Sequence, residues 1–360
     1  MGLFLPDCRP LLIGSLPLTD HQEAIEQIFA ATPEIPLWPQ LPVHPREGML
    51  RQFVGGMPGL MERGGKIFVD PTTENFAEEI LGFYEEYLLV TEGGAALEES
   101  RFVLHQEDAP GFSSFLRHAT TRRGSLYALK GQSTGPVTFA TSLADNEGRA
   151  IFYNDQLRDA AVKLLALKAR WQARMMGEIL PRPIVFFDEP GLAGLGSSAF
   201  ITVTPEIISI CLDEVFSGVR EEGGLTGIHV CANTEWPVLF ASGVDIISYD
   251  AYGFFDKLIL YPEELNTFLA RGGILASGIV PTAEESIDRE TADTLVDIWF
   301  DQCRQLENLG IVAETVYAQS LITPSCGTGT ISRTYADRVL ELTREVSEKI
   351  RSRFLRVTGP

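Results

Sequence analysis

The chain has no excess of positive charge: 29 Lys and Arg stand against 49 Asp and Glu, a formal net charge of −20. That balance argues against nucleic acid and anionic membrane surfaces as partners, because both are bound through a basic face. No uninterrupted apolar run approaches the roughly 18 residues that span a bilayer. The start, MGLFLPDCRPLLIGSLP, has no basic residue ahead of its apolar ones, and Asp7 and Arg9 break it, so no secretory signal is expected. Met1-Gly2 is not followed by the Ser or Thr of a myristoylation signal. A cytoplasmic protein is the expectation. Cysteine is scarce, with five residues at 8, 211, 231, 303 and 326, an odd and scattered set that excludes a disulfide framework and leaves reduced thiols, some of them ligands. Linkers, charge blocks and 20–50-residue repeats are also missing. The 360 residues therefore read as one domain, large enough to bury a substantial core.

What is there is a recurring unit of short apolar strand, loop and amphipathic helix. Strands are predicted within 10–17, 126–139, 183–190, 226–233, 244–252, 273–281 and 314–325. Helical patterns fill 155–178, 284–309 and about 332–354, the last with Ser332 as its cap. Strands alternating with helices imply a parallel sheet covered by helices. The predicted fold is a single α/β domain, a (β/α)8 TIM barrel, with a partly helical N-terminal elaboration over 34–110. That elaboration contains helical pieces at 46–62 and 75–92 and supplies the eighth strand near 66–69. A doubly wound open sheet is the alternative, but no Gly-x-Gly-x-x-Gly follows the first strand. The stretch GLMERGGK (59–66) lacks the spacing of a phosphate loop.

Each predicted strand ends in residues that are costly to bury, among them Ser15, Lys130, Gln132, Asp188, Glu189, His229, Cys231, Asp250 and Cys326. In a parallel barrel these ends converge on one mouth. His229 and Cys231, two apart on a strand, face the same side and can reach one ion. Cys326 and Asp250 are candidates for the missing ligands. The other reading is a small buried Cys beside a hydrogen-bonded core His. Spacing alone leaves both open.

The segments LLIGSLPLTD (11–20), GPVTF (135–139), FFDEPGL (186–192), HVC (229–231) and TPSCG (323–327) resemble, in this order, those of the superfamily of cobalamin-independent methionine synthase and uroporphyrinogen decarboxylase. They are most similar to the zinc-containing catalytic barrel of methionine synthase and to corrinoid-dependent thiol methyltransferases. The resemblance implies Zn2+ held by His229, Cys231, Asp250 and Cys326. It implies a methyltransferase that moves a methyl group from a corrinoid or folate-type donor, such as methylcobalamin or a corrinoid protein, to a zinc-activated, homocysteine-like thiol. Ile13, Gly14 and Ser15 would then hold the substrate carboxylate. Asp188, with Glu189, would meet its ammonium group, Asp188 acting in catalysis, and Glu47 would lie in the segment that grips the amino group. A uroporphyrinogen decarboxylase-like enzyme and a non-catalytic corrinoid or tetrapyrrole carrier are the alternatives.

Overall fold

Six of the strand segments are buried from end to end or nearly so, which is what a parallel sheet covered on both faces requires of its strands. The computed structural model describes residues 4–195 and 203–358; the Met1-Gly2 start lies outside them. The strands are β1 (Arg9–Pro10), β2 (Leu60–Arg63), β3 (Lys66–Val69), β4 (Lys130–Thr134), β5 (Ile184–Asp188), β6 (Leu225–Val230), β7 (Ile246–Tyr249), β8 (Ile274–Val280) and β9 (Ser320–Pro324). Seven of them form one sheet in the order β1-β9-β8-β7-β6-β5-β4. Every pair in it is parallel. The chain is thus an α/β protein with helices between successive parallel strands.

The expected eighth strand near 66–69 is corrected. β3 pairs antiparallel with β2 in a separate hairpin, and Arg63 faces Lys66 across the two-residue turn Gly64-Gly65. Both glycines have positive φ, 59° and 77°, as the tight hairpin turn that matches strand twist demands. The space between β1 and β4 is approached instead by residues 34–40. Leu37 bridges Lys130 and Gln40 bridges Ser15, both in parallel sense. This segment carries two prolines and makes only isolated bridges, so it never shows the alternation by which a strand is read from sequence.

Other boundaries shift for local reasons. The 126–139 run ends as a strand at Thr134, because Gly135-Pro136 starts the helix Pro136–Ser142 with proline in its first turn. The 284–309 pattern is two helices, Glu284–Arg289 and Ala292–Asn308, divided by the capping box of Thr291 with Thr294. Asn154 caps Asp155–Gly177, and the final helix spans Arg333–Thr358. Among the described residues no helix is long and apolar enough to cross a membrane, and the five cysteines are all free.

Two lysines lie fully inside. Lys168, on Asp155–Gly177, donates to the Val103 carbonyl at 2.8 Å. Lys130, on β4, donates to the Ile13 carbonyl at 2.5 Å and to Gln132 Oε1 at 3.2 Å, and sits 4.6 Å from the Phe186 ring centre. Burial pushes both ammonium groups down from 10.5 to about 8. Between pH 8 and 10.5 the unfolded chain therefore holds protons that the folded chain has released, so stability rises with pH across that window. Comparing the parent with Lys168→Met by denaturant unfolding isolates one such group. The stability of the parent relative to the variant should rise by about 3 kcal/mol from pH 8 to 10.5, and a constant difference would contradict an ionisable buried amine.

Candidate metal centre at the strand ends

β6 delivers His229 and, one residue past its end, Cys231, on the same side of the extended chain. Two residues beyond β9, the turn after Pro324 delivers Cys326. One ligand atom from each of His229, Cys231 and Cys326 lies within 4.8 Å of the others. Donors at about 2.0–2.3 Å from one zinc ion are themselves some 3–4 Å apart, so the three side chains fit a single ion with small adjustments.

The imidazole is already oriented for that task. Register pairs His229 with Ser248 on β7, and His229 Nδ1 lies 2.9 Å from Ser248 Oγ. The other nitrogen, Nε2, is buried with no hydrogen-bond partner. One ring nitrogen anchored by a neighbour and the second left free is the arrangement of a metal-binding histidine. A core histidine would be expected to satisfy both.

The thiols are poised as well. Cys326 hydrogen-bonds to Cys231 and, together with His229, pulls the Cys231 thiol well below its ordinary range, against the effect of burial. The same hydrogen bond, then burial, pushes Cys326 up. A lowered Cys231 pKa favours the thiolate, the form that binds metal.

Asp188 ends β5 directly across the ladder from His229. Its Oδ1 is buried without a partner. Burial raises its pKa, and His229 and then Lys130 oppose the rise. Thr323 Oγ1 on β9 is likewise buried and unpartnered. Such atoms are rare in folded proteins, and here three of them fall near the ends of β5, β6 and β9.

The remaining predicted residues are placed differently. Asp250 is not in the three-residue group. Its Oδ1 accepts the Gly253 N–H at 2.7 Å as the cap of the helix Ala251–Leu258. Burial raises its pKa, and Cys231 adds to the rise. Glu189 is fully buried. Its Oε1 accepts from Val137 N–H at 2.8 Å, and its Oε2 accepts from Thr138 N–H at 2.8 Å and from the Thr138 hydroxyl at 2.6 Å. Both of its oxygens are engaged at the start of Pro136–Ser142, so Asp188 and Glu189 are not a free carboxylate pair. Glu47 accepts Leu41 N–H at 2.9 Å and lies 2.8 Å from His21 Nε2, away from the thiols in its bonding.

The Ile13–Ser15 stretch acts on Cys326 through its turn. Ile13 and Gly14 have their carbonyls engaged by Lys130 and by the Gln40 N–H. The Ser15 carbonyl accepts from Thr328 N–H, and the Ser15 hydroxyl accepts from Gly329 N–H at 3.3 Å. A Cβ on Gly327 would collide with Ser15 Oγ, so glycine is what lets the Cys326 turn close against the segment that follows β1. A narrow crevice bounded by Gly14, Ser15, Cys326 and Thr328 marks that junction.

Ser248 and Thr323 were not foreseen. Each is a polar residue within a buried strand, a signal that carries meaning only once strand register is known.

No protein-family model matches the chain, and no curated protein matches it. Among solved structures, similarity is found to the tandem GH20 catalytic modules of the pneumococcal exo-β-D-N-acetylglucosaminidase StrH, at 9% identity over 96% of this chain and 83% of that one, with a TM-score of 0.47. A second structure, described for inhibition of the pneumococcal virulence factor StrH and for N-glycan recognition and hydrolysis, matches at 9% identity over 95% and 84%, with a TM-score of 0.48. The expected methionine synthase-like thiol S-methyltransferase is corrected here. These structural matches lead to glycoside hydrolase modules and not to a methyltransferase, and that activity is carried no further. Nor does likeness at this level transfer a glycosidase activity to this chain.

Proposed function

We propose that the strand-end face is a mononuclear metal centre for a zinc-type divalent ion, held by His229 Nε2, Cys231 Sγ and Cys326 Sγ, and that residues 34–40 complete an eight-membered (β/α) barrel around it. Three protein ligands leave a coordination position for a small-molecule donor, the arrangement of reactive rather than structural zinc. The observation that carries the reading is His229, whose Nδ1 is anchored on Ser248 while its buried Nε2 has no partner. A nitrogen and two thiolates suit zinc over magnesium or calcium, which prefer oxygen.

When bound, the ion supplies Lewis acidity, lowering the proton affinity of a donor group placed at its open position. The chain's own residues do the rest. Ser248 holds the imidazole in one orientation, and Ser15 with Gly327 keeps the Cys326 turn against the segment that follows β1. Asp188 offers a buried acceptor beside the ligands, suited to a hydrogen-bond donor or cationic group on the bound molecule. The ordered motifs that resemble those of the methionine synthase and uroporphyrinogen decarboxylase superfamily support the barrel and the ligand set.

Elemental analysis of chain purified without added metal tests the proposal. At least one zinc per chain is expected, and protein that neither carries zinc nor takes up one tight equivalent would refute it.

A further inference from the structure

A second group of ligating side chains stands outside this centre. His21 opens the helix His21–Ala31, while His44 and Glu47 lie on the turn that follows residues 34–40. One ligand atom from each lies within 4.8 Å of the others. The two imidazoles stack with centroids 5.3 Å apart and planes 15° from parallel.

We propose that His21, His44 and Glu47 form a separate divalent-cation site that ties the start of the first long helix to the 41–47 loop. The argument rests on how each ligand is held. His44 Nε2 lies 2.9 Å from the Thr19 carbonyl, an acceptor only, so that nitrogen carries the proton and the neutral ring keeps its lone pair on Nδ1. Glu47 has a side chain only 1% exposed. Its Oε2 is fixed by the Leu41 N–H at 2.9 Å, which leaves Oε1 turned to His21 Nε2 at 2.8 Å. Backbone groups thus orient two of the three ligands from behind, the support that metal-binding His and carboxylate side chains receive in metalloproteins. His21 is positioned by packing, since its Cδ2 lies near Gly111, where an added Cβ would stand 3.0 Å away. Two imidazoles and one carboxylate, without sulfur, suit Zn2+, Cu2+ or Ni2+ and disfavour Ca2+ or Mg2+. The 2.8 Å separation of His21 Nε2 and Glu47 Oε1 is a hydrogen-bond distance, and the pair would open by about half an ångström to share one ion.

An ion here would act at a structural junction. Gln40, just ahead of the loop, is bonded through its backbone to Gly14 and Leu16. A pin between helix and loop therefore bears on the segment that bridges β1 and β4. The site is independent of the thiolate centre, and its test is arranged to keep the two apart.

Equilibrium dialysis against Zn2+ should give two equivalents for the parent and one for Cys231→Ser/Cys326→Ser. Adding His44→Ala to that variant should weaken the remaining equivalent by about tenfold or more. With Cu2+ in place of Zn2+, the electron paramagnetic resonance spectrum of the Cys231→Ser/Cys326→Ser protein should show coupling to two imidazole nitrogens, with one lost in His44→Ala. His44 is half-buried on a loop, so that variant should retain the parent circular dichroism. Glu47→Gln, which keeps the Leu41 contact, provides a second removal of one ligand. A Cys231→Ser/Cys326→Ser protein that binds no ion, or binding and coupling unchanged by His44→Ala and Glu47→Gln, would overturn the site. One equivalent lost on His44→Ala with none lost on removing the thiols would uphold this site while refuting the thiolate centre.

Discussion

In a His44→Ala background, which removes the second site, Cys326→Ser and His229→Ala should each abolish tight zinc binding, weakening it on the order of a hundredfold or more, while Asp250→Asn should leave it within a few-fold of the His44→Ala parent. The asymmetry follows from geometry. His229, Cys231 and Cys326 are the three donors brought together, and losing one leaves two for an ion whose affinity is spread over three or four bonds. Asp250 keeps its oxygen on the Gly253 N–H, so removing its charge takes no ligand away. Competition against a chelator of known affinity, with circular dichroism to confirm folding, reads all three variants. Ser248→Ala should lie between the extremes, at about 10–100-fold, because it frees the ring that Nδ1 orients without removing a donor. Metal retained in Cys326→Ser would remove that residue from the site.

The second large effect is on folding. Glu189→Ala should cost about 3 kcal/mol, read as a shift of the denaturant midpoint, since two helix N–H groups and the Thr138 hydroxyl lose their acceptor in a dry environment. The same residue gives the fold a pH dependence. Burial holds its carboxyl up from 4.5 to about 7, with the Thr138 and Val137 hydrogen bonds opposing the rise. Over that interval the folded chain keeps a proton that the unfolded chain has shed. This contribution is therefore complete below pH 4.5 and is lost as pH rises through 7, a decline of about 3 kcal/mol. Glu189→Gln cannot titrate and should lack that slope. A parallel pH profile for parent and Glu189→Gln would show that the group is ionised throughout.

How much of this was legible in the sequence depends on which physical signal each feature left. Strands such as IVFFD (184–188) and ILASGIV (274–280) announce themselves by continuous apolar runs, and they appear where expected. The β1–β4 gap was misread because residues 66–69 look like a strand, while 34–40, rich in proline, do not. Pairing partner rather than local composition decides membership of a sheet, as the β2–β3 hairpin shows. At the centre, His229 and Cys231 were legible because two-residue spacing on a strand is a local rule. Their partner Cys326, almost 100 residues away, was reached through the resemblance. Glu189 and Asp250 were beyond such reasoning. A carboxylate at a strand end serves equally as a ligand or as a helix cap, and only the helices starting at Pro136 and Ala251 decide between them. The activity expected from the motif order is not carried further, because a ligand set and a fold do not by themselves name a reaction.

Zinc K-edge X-ray absorption of the chain loaded with one equivalent is the most direct measurement. Two sulfur scatterers at about 2.3 Å and one or two nitrogen or oxygen scatterers at about 2.0–2.1 Å are the expected first shell. A shell of nitrogen and oxygen alone, with no sulfur, would contradict a centre built from His229, Cys231 and Cys326.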